Sequence, residues 1–409
     1  MSYVFRRIAT VYAAVLVLLS LSSCMAGRSA SMERETLFRL NYGRFEDEID
    51  LFNLEGNQTG TDTQLYMRDG MFYIVNPGAR KVLQFTSFGD LLSVFYNPDF
   101  NPHPSFASAS DGELNTAATR KAIAHPFNNP SWLAVDNRKR LYVVDRVPGD
   151  RQEYDTSVQV VLNSVVLRFA PDGRFMDYLG QEGAGGTPFP PITGVYVTAA
   201  NQLVVVSRHM SGIIVYWYAE DGQPLYRIPV SFESLPVPGE NPEGVFPSLD
   251  KVLPDHSGGR LYLKIDYYVS DTDSATGVHA GISFDRSMIY PLDLSSGQYQ
   301  QPIEIPAYQG VEKDNLGTLT FTKPYELLGI TGGGWIFLYT PETGGYALEL
   351  MDSRSRRMQR RFIEIRTEEL VYNTLMLSPD GIISALLATA TNASIVWWRT
   401  DALIGEIRR

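Results

Sequence analysis

The chain has 409 residues, of which 44% are hydrophobic and 20% charged, a composition typical of a globular protein that buries an extensive core. Its 46 acidic residues outnumber its 35 basic ones and give a net charge of −11, which disfavours nucleic acid and anionic lipid surfaces as main partners. It contains one cysteine, so a disulfide within the chain is excluded.

The first 23 residues have the pattern of a bacterial signal peptide. Arg6 and Arg7 precede an apolar run without charges, Ile8 to Leu21, and Ser22-Ser23 supply small residues at the cleavage site. The ending Leu-Ser-Ser-Cys resembles the bacterial lipobox, and the resemblance implies that Cys24 becomes the lipid-modified first residue of the mature protein. We therefore predict a lipoprotein of the bacterial cell envelope, anchored in a membrane through Cys24 and facing the periplasm or the outside.

Two other interpretations of this segment stay open. A plain secretory signal peptide would leave Cys24 without a role, and a transmembrane anchor would need roughly 20 apolar residues, more than the about 14 present here. Cleavage before Cys24 removes two arginines and no acidic residue, so the net charge becomes −13 instead of −11. Residues 24–35 show no apolar periodicity and are predicted to be a short tether.

From residue 36 to 409 the sequence repeats one unit, short β-rich runs separated by turns. The clearest unit lies within residues 129–176 and includes the turn Asp172-Gly173. Second strands are predicted at Phe72–Val75, Leu141–Val144, Leu203–Val206, Leu261–Ile265, Trp335–Tyr339 and Ile382–Leu386. Third strands are predicted at Lys81–Thr86, Val165–Phe169, Ile213–Tyr218, Ser287–Leu292, Tyr346–Leu350 and Ser394–Trp398. Proline precedes the first strand in four units, at Pro130, Pro191, Pro247 and Pro324, where its missing N–H is harmless.

Six units of four strands predict an all-β protein, a β-propeller with six blades. The hydrophobic pattern and turn of the unit resemble NHL-repeat propellers, best over residues 129–176. A pair of stacked sheets is the alternative fold, but it does not require the same signature six times. A count of seven blades also stays open. Together, the lipobox, tether and NHL-like repeat resemble uncharacterised propeller lipoproteins of spirochaetes.

The ends of the repeat region suggest how the ring closes. Thr36–Phe52 precedes the first complete unit and is a candidate for the outer strand of the last blade. Ala402–Ile407 is the competing candidate for the same position. Four insertions interrupt the units, at residues 97–128, with a helix-like piece at Glu113–Ile123, and at residues 147–160, 233–247 and 269–283. Such loops either carry function or are merely tolerated, and the sequence does not choose between the two.

Three groups of residues are candidates for ligand binding. Asp271-Thr272-Asp273-Ser274 with Gly277 is part of a calcium-loop pattern but lacks its terminal acid, which favours a solvated hairpin tip. The five histidines have no metal-ligand spacing, which favours scattered surface positions over a zinc site: His103, His125, His209, His256 and His279. The basic cluster is interpreted either as an anion-binding patch or as a charged outer strand: Arg354, Arg356, Arg357, Arg360 and Arg361.

Two further groups lie on predicted strands. Trp397 and Trp398 alternate across a strand, so one ring should enter the core between blades and the other should face outward. Asp136, Asp250 and Glu326 are the acidic residues on or beside the innermost strands, too few to define a metal cage.

The sequence contains no recognisable catalytic motif. We predict no catalytic residues, no metal ligands and no cofactor. The leading hypothesis is a lipid-anchored, non-catalytic binding or scaffolding module that presents one propeller face to a protein or envelope ligand, with no nucleic-acid partner. The competing hypothesis is a propeller enzyme, a metal-dependent lactonase or lyase with its site at one end of the central channel.

Overall fold

The computed structural model describes residues 30–52, 63–107, 120–239, 244–272, 279–314 and 317–407. Six antiparallel sheets follow one another along the chain and form the blades of a propeller. The predicted all-β, six-bladed fold is therefore confirmed. In the description below, strands are counted outward from the central channel.

Each blade has a short first strand beside the channel and longer strands further out. The strands of blade 1 are Gln64–Arg68, Met71–Asn76, Lys81–Thr86, Leu91–Tyr96 and the parallel addition Lys121–Ala124. Those of blade 2 are Leu133–Val135, Leu141–Arg146, Ser164–Phe169, Phe175–Gly180 and Gly183–Ala184. Those of blade 3 are Ile192–Val197, Leu203–His209, Gly212–Tyr218 and Pro224–Ser231.

Blade 4 is the tallest, because its second and third strands continue beyond the sheet as a long hairpin. Its strands are Val245–Pro254, Arg260–Thr272, His279–Asp293, Gln298–Tyr299 and Ile303–Ile305.

The last two blades each take an outer strand from the N-terminal segment. The strands of blade 5 are Glu326–Ile330, Trp335–Glu342, Gly345–Asp352, Met358–Glu364 and Ala30–Ser31. Those of blade 6 are Tyr372–Leu377, Ile383–Ala388, Ala393–Trp398 and Glu35–Leu40. Two separate hairpins pair Glu153–Asp155 with Val160–Leu162 and Tyr308–Asp314 with Gly317–Lys323. Helical structure comprises the α-helix Thr400–Ile407 and the 3₁₀ turns Gly149–Arg151, Phe232–Ser234 and Thr367–Glu369.

The core consists of six hydrophobic layers, each between two neighbouring blades. The second strands supply both layers beside them, because successive side chains of a strand point to opposite faces. In blade 3, Leu203 and Val205 enter the layer shared with blade 2, while Val204 and Val206 enter the layer shared with blade 4. The sixth layer joins blade 6 to blade 1, so the ring is closed.

The N-terminal segment completes the last blade. Glu35–Leu40 pairs with Ala393–Trp398, and Ala30–Ser31 runs parallel to the outer strand of blade 5. The predicted tether, residues 24–35, therefore ends inside the sheets and not before them; residues 24–29 lie outside the described part of the chain. The competing candidate, Ala402–Ile407, is helical, because the edge it would need is already occupied by Glu35–Leu40.

Two other expectations about local structure need correction. Within the predicted helix-like piece Glu113–Ile123, residues 113–119 lie outside the described part, and the remainder enters the strand Lys121–Ala124. Pro247 lies inside the first strand of blade 4 and not before it, opposite Tyr267. Proline is tolerated there because a first strand is an edge strand, so one side of its backbone needs no ladder partner.

The antiparallel blades give the molecule two different faces. The turn face carries the short turns that join first to second and third to fourth strands. The insertion face carries the connections between second and third strands and between successive blades, which include all four predicted insertions and the hairpin Tyr308–Lys323. At the third-to-fourth turns, Gly173 and Gly222 have φ values of +96° and +94°, which glycine adopts without strain.

Candidate ligand channel

The first strands of the six blades surround a cavity of about 350 Å³ at the centre of the ring. Each blade contributes to its wall, for example through Gln64, Leu133, Val195, Val252, Leu328 and Met376. The lining is mainly apolar with a few polar groups, the usual character of a small-molecule pocket.

Three first strands carry a β-bulge at the channel wall. The pairing register shifts between Ile192 and Gly194 in blade 3, at Thr193. Equivalent shifts place Asp250 of blade 4 and Leu328 of blade 5 between paired neighbours. All three bulged residues line the cavity. Because a bulge redirects a side chain out of the regular alternation, these residues extend the wall beyond what the strand pattern alone would provide.

A buried group of charges stands behind one of these bulges. Nζ of Lys264, whose side chain is 1% exposed, lies 2.9 Å from Oδ2 of Asp250 and 2.9 Å from Oδ2 of Asp266. Ser287 also donates a hydrogen bond to Asp266. Burial raises the pKa of Asp266, although the lysine beside it opposes the shift. One lysine thus holds two carboxylates, and the Asp250 carboxylate, with its side chain 33% exposed, faces the channel.

Lys251 brings a second ammonium group to the same wall. Its Nζ donates hydrogen bonds to the carbonyl oxygens of Leu327, at 2.8 Å, and of Leu328, at 3.3 Å, across the interface between blades 4 and 5. Burial lowers the pKa of Lys251, against the opposing influence of Asp250 and Glu326. Lys251 therefore has a structural role in joining two blades.

Aromatic side chains form much of the remaining wall. Tyr66, Trp132 and Tyr196 line the cavity and are each half-buried. Burial raises the pKa of Tyr66 and of Tyr196, so both hydroxyls remain protonated at neutral pH. Toward the insertion face, the guanidinium carbon of Arg208 lies 5.3 Å from the ring centre of Phe232, and both residues line the cavity.

The opposite end of the channel is crossed by hydrogen bonds between the turns of neighbouring blades. Arg68, which is 7% exposed, donates from Nη1 to the carbonyl of Val135 at 2.7 Å and from Nη2 to the side chain of Asn137. Asn137 in turn donates to the carbonyl of Ala199 at 2.8 Å, and the Ala199 N–H donates to the backbone carbonyl of His256 at 2.8 Å. These contacts tie blades 1 to 4 together at the turn face.

The three acidic candidates of the sequence analysis lie in different places. Asp250 lines the channel as described. Asp136 is fully buried and accepts hydrogen bonds from Nε of Arg140 at 2.6 Å and from the Tyr142 hydroxyl at 3.2 Å, so it stabilises a turn. Glu326 is exposed at the start of its strand and accepts a hydrogen bond from Tyr339.

The histidines are dispersed. His125 packs among the rings of Phe127, Phe169 and Phe175, and burial lowers its pKa to about 4. The side chain of His279 is not described. Among the described residues, no group of three or more His, Cys, Asp or Glu side chains is placed to hold a metal ion.

The calcium-loop candidate lies mostly outside the described residues, which omit 273–278. The strands on either side of this gap, Arg260–Thr272 and His279–Asp293, pair as one hairpin. The segment between them, residues 273–278, lies outside the described part, so the solvated hairpin tip stays a prediction. Asp271 itself accepts a hydrogen bond from Ser283.

The tryptophan prediction is confirmed for Trp398, whereas Trp397 packs at the edge of the layer between blades 6 and 1 and does not simply face outward. The arginine cluster divides between a strand and a turn. Trp398 is fully buried between blades 5 and 6, while Trp397 is half-buried and donates to Glu35 of the N-terminal strand at 2.6 Å. Arg360 and Arg361 lie on the outer strand of blade 5, but that edge is paired with Ala30–Ser31 and is not open. The other three arginines belong to the preceding turn. Cys24 lies outside the described residues, so its acylation stays a prediction.

Sequence reasoning missed Lys251, Lys264 and the bulges that build the channel wall. Glycine follows the bulged residue in two cases, at Gly194 and Gly329, and this was the available signal. The charged group was not visible because Lys264 and Asp266 come from a second strand, whose side chains meet Asp250 only when the sheet is formed.

Comparisons with known proteins leave the family open. No family model matches the chain, and no curated protein matches it. Among solved structures, an ulvan lyase of a polysaccharide lyase family has 10% sequence identity and a TM-score of 0.40, over 89% of this chain and 97% of that one. The β-propeller domain of the Trilobed protease from Pyrococcus furiosus, described as having an open velcro topology, has 8% identity and a TM-score of 0.38, over 82% and 83%. Likenesses this remote carry no argument about activity, and the blade count here rests on the strand pairing itself.

No helix among the described residues has the length and apolar character needed to cross a bilayer.

Proposed function

We propose that this protein is a lipid-anchored binding module of the bacterial cell envelope, held by an acylated Cys24, which binds a small ligand in its central channel without transforming it. The observation that carries the binding role is the channel itself: six first strands enclose about 350 Å³ of mainly apolar space with a charged group at one wall. The lipobox-like residues before Cys24 support the anchor. The NHL-like repeat belongs to this proposal as a resemblance.

The wall of the channel supports one kind of ligand. Tyr66, Trp132 and Tyr196 offer aromatic surface, and Thr193 offers a hydroxyl. The Asp250 carboxylate offers an acceptor that is already fixed by Lys264 at 2.9 Å. A pre-positioned acceptor in an apolar cavity favours a ligand that carries a hydrogen-bond donor on an apolar body, because the acceptor would otherwise lose its water without replacement.

The competing proposal is a metal-dependent lactonase or lyase. It needs several ligand side chains converging on one point, and in the described part of the chain the channel wall offers Asp250 as its one carboxylate. We therefore favour the binding role over the metal-dependent enzyme. Stoichiometric metal in the purified protein, lost when Asp250 is changed, would reverse this order.

Native mass spectrometry of the protein solubilised from its own membranes tests the proposal. We expect a chain that begins at acylated Cys24 and carries a noncovalent adduct. The channel-filling substitution Thr193→Trp should remove the adduct, because Thr193 is exposed in the channel and not packed in the core. Thr320→Trp, at an exposed position on the hairpin Tyr308–Lys323, is the matched control and should keep it. An adduct that survives Thr193→Trp contradicts the channel as its site.

The same experiment examines the anchor. Cys24→Ala should leave an unacylated chain that no longer sediments with membranes, because the lipid carries most of the membrane affinity. A wild-type chain with an unmodified Cys24, or one that begins elsewhere, contradicts the anchor but leaves the channel unaffected.

A further inference from the structure

The turn between the third and fourth strands of blade 5 concentrates positive charge on an acidic protein. Arg354, Arg356 and Arg357 lie in this turn and are all exposed. None of them forms an ion pair with any residue in the described part of the chain. Asp352 and Ser355 fold the turn: the backbone N–H of Arg354 donates to Asp352 at 2.9 Å, and the Ser355 hydroxyl donates to it at 2.8 Å. The turn thus holds three arginines outward on the turn face.

The insertion-face end of the same blade has the opposite charge. Its exposed acidic residues are Glu342, Glu364, Glu368 and Glu369. The ion pair that balances part of this group joins Nη1 of Arg366 to Oε1 of Glu369 at 2.9 Å. Blade 5 is therefore basic at the turn face and acidic at the insertion face. A negatively charged surface would attract the first end and repel the second.

The N-terminal segment enters the propeller at this same blade. Ala30 and Ser31 lie opposite Arg361 and Phe362, on the strand that begins just after the arginine turn, and the N–H of Met32 donates to Phe362 at 2.8 Å. Cys24 precedes Ala30 by six residues, a length of chain that reaches at most about 20 Å. A lipid on Cys24 would therefore hold a bilayer close to blade 5, whichever way those residues run.

An exposed aromatic residue extends the basic turn along the rim. Phe88 lies in the corresponding turn of blade 1, also on the turn face, and its side chain is 87% exposed. A Cβ added at the next residue, Gly89, would lie 2.7 Å from Cβ of Phe38 on the N-terminal strand, so this turn packs directly against blade 6. Blades 5, 6 and 1 thus share a rim with arginines at one end and an exposed ring at the other, two features suited to a lipid headgroup layer. The exposed carboxylates of Asp90 and Asp380 also lie on this rim, so its positive charge is concentrated in the turn of blade 5.

We propose that the turn face rests on an anionic membrane surface, with Arg354, Arg356 and Arg357 at the headgroup phosphates, so that the insertion face points away from the bilayer. The inference rests on the acylation proposed above for Cys24. Because the protein as a whole is acidic, the arginines act mainly on orientation, while the acyl chain supplies most of the affinity.

The lone cysteine makes orientation measurable. When Cys24 is acylated, an introduced cysteine is the one free thiol of the full-length protein and accepts a fluorescent label. Ala402→Cys places the label on the turn face of blade 6, next to blade 5, and Ser234→Cys places it on the insertion face; both positions are exposed. The labelled lipoproteins are reconstituted into phosphatidylcholine vesicles that contain about one third phosphatidylglycerol and a brominated quencher lipid.

We expect the label at position 402 to be quenched about twofold or more beyond the label at position 234. Changing Arg354, Arg356 and Arg357 to Gln, or raising the salt to about 0.5 M, should remove this difference while the protein still sediments with the vesicles. Equal quenching at both positions, or stronger quenching at position 234, overturns the proposed orientation. A protein that does not sediment with vesicles overturns the anchor, and the orientation with it, whereas loss of the channel adduct would leave both intact.

Discussion

At the scale of single residues, several buried charged side chains in this protein form ion pairs with side chains of opposite charge. Asp136 is held by Arg140, and Lys264 is held between Asp250 and Asp266. The sequence shows Asp136 and Asp250 in similar positions near the ends of first strands and gives no means to separate a turn-stabilising carboxylate from a channel carboxylate. The difference lies in the bulge at Asp250, which turns its side chain toward the axis.

Asp145 is a buried carboxylate whose charge affects stability with pH. It accepts backbone hydrogen bonds from Asn129 at 2.7 Å, Asn128 at 2.9 Å and Arg146 at 3.0 Å. Burial nevertheless outweighs these bonds and raises the pKa of Asp145 from 3.8 to about 6. Since the folded protein binds this proton more tightly than the unfolded chain does, the stabilisation is complete below about pH 4 and is lost as the pH rises through about 6.

We predict that Asp145→Asn removes this part of the pH dependence. The wild-type free energy of unfolding should fall by up to about 3 kcal/mol relative to the variant between pH 4 and pH 7. Urea denaturation of both proteins across this range measures the difference. The asparagine also loses some hydrogen-bond acceptance, which adds a constant offset but no slope. Parallel stability curves would show that Asp145 does not have a raised pKa in the folded state.

At the scale of elements, the second and third strands could be predicted because they are buried on both sides. Their near-continuous apolar runs, such as Leu203–His209 and Gly212–Tyr218, stand out from the surrounding turns. The first strands were harder to place, since each has one side on the channel and three carry bulges. The segment Thr400–Ile407 resembles a strand in sequence but forms a helix. The sheet edge that a strand here would need is occupied by the N-terminal strand, more than 350 residues earlier in the chain.

The N-terminal strand should contribute strongly to stability, because it closes the ring. Leu40 is 3% exposed in the layer between blades 6 and 1, while the neighbouring Arg39 points outward and is exposed. We predict that Leu40→Ala lowers the free energy of unfolding by about 3 kcal/mol, the usual cost of a cavity in a core. Arg39→Ala is the matched control and should change it by less than about 0.5 kcal/mol. Equal effects of the two substitutions in chemical denaturation would argue against a closing role for this strand.

At the scale of the whole molecule, the fold gives the two faces of the ring different loops. The turn face is short-looped and is crossed by hydrogen bonds between blades, including those of Arg68 and Asn137. The insertion face carries the long connections between second and third strands and between blades. The sequence predicted each insertion separately. That all of them lie on one face follows from the alternating direction of the strands, which places these connections together only when the blades assemble.

An experimental structure of the protein, purified from its native membranes without exchange of bound molecules, tests the central claim most directly. Our account predicts a closed six-bladed ring with a small molecule in the channel, in contact with Asp250 and the aromatic wall formed by Tyr66, Trp132 and Tyr196. A channel that holds ordered water alone, with a ligand bound elsewhere on the propeller, would contradict the account.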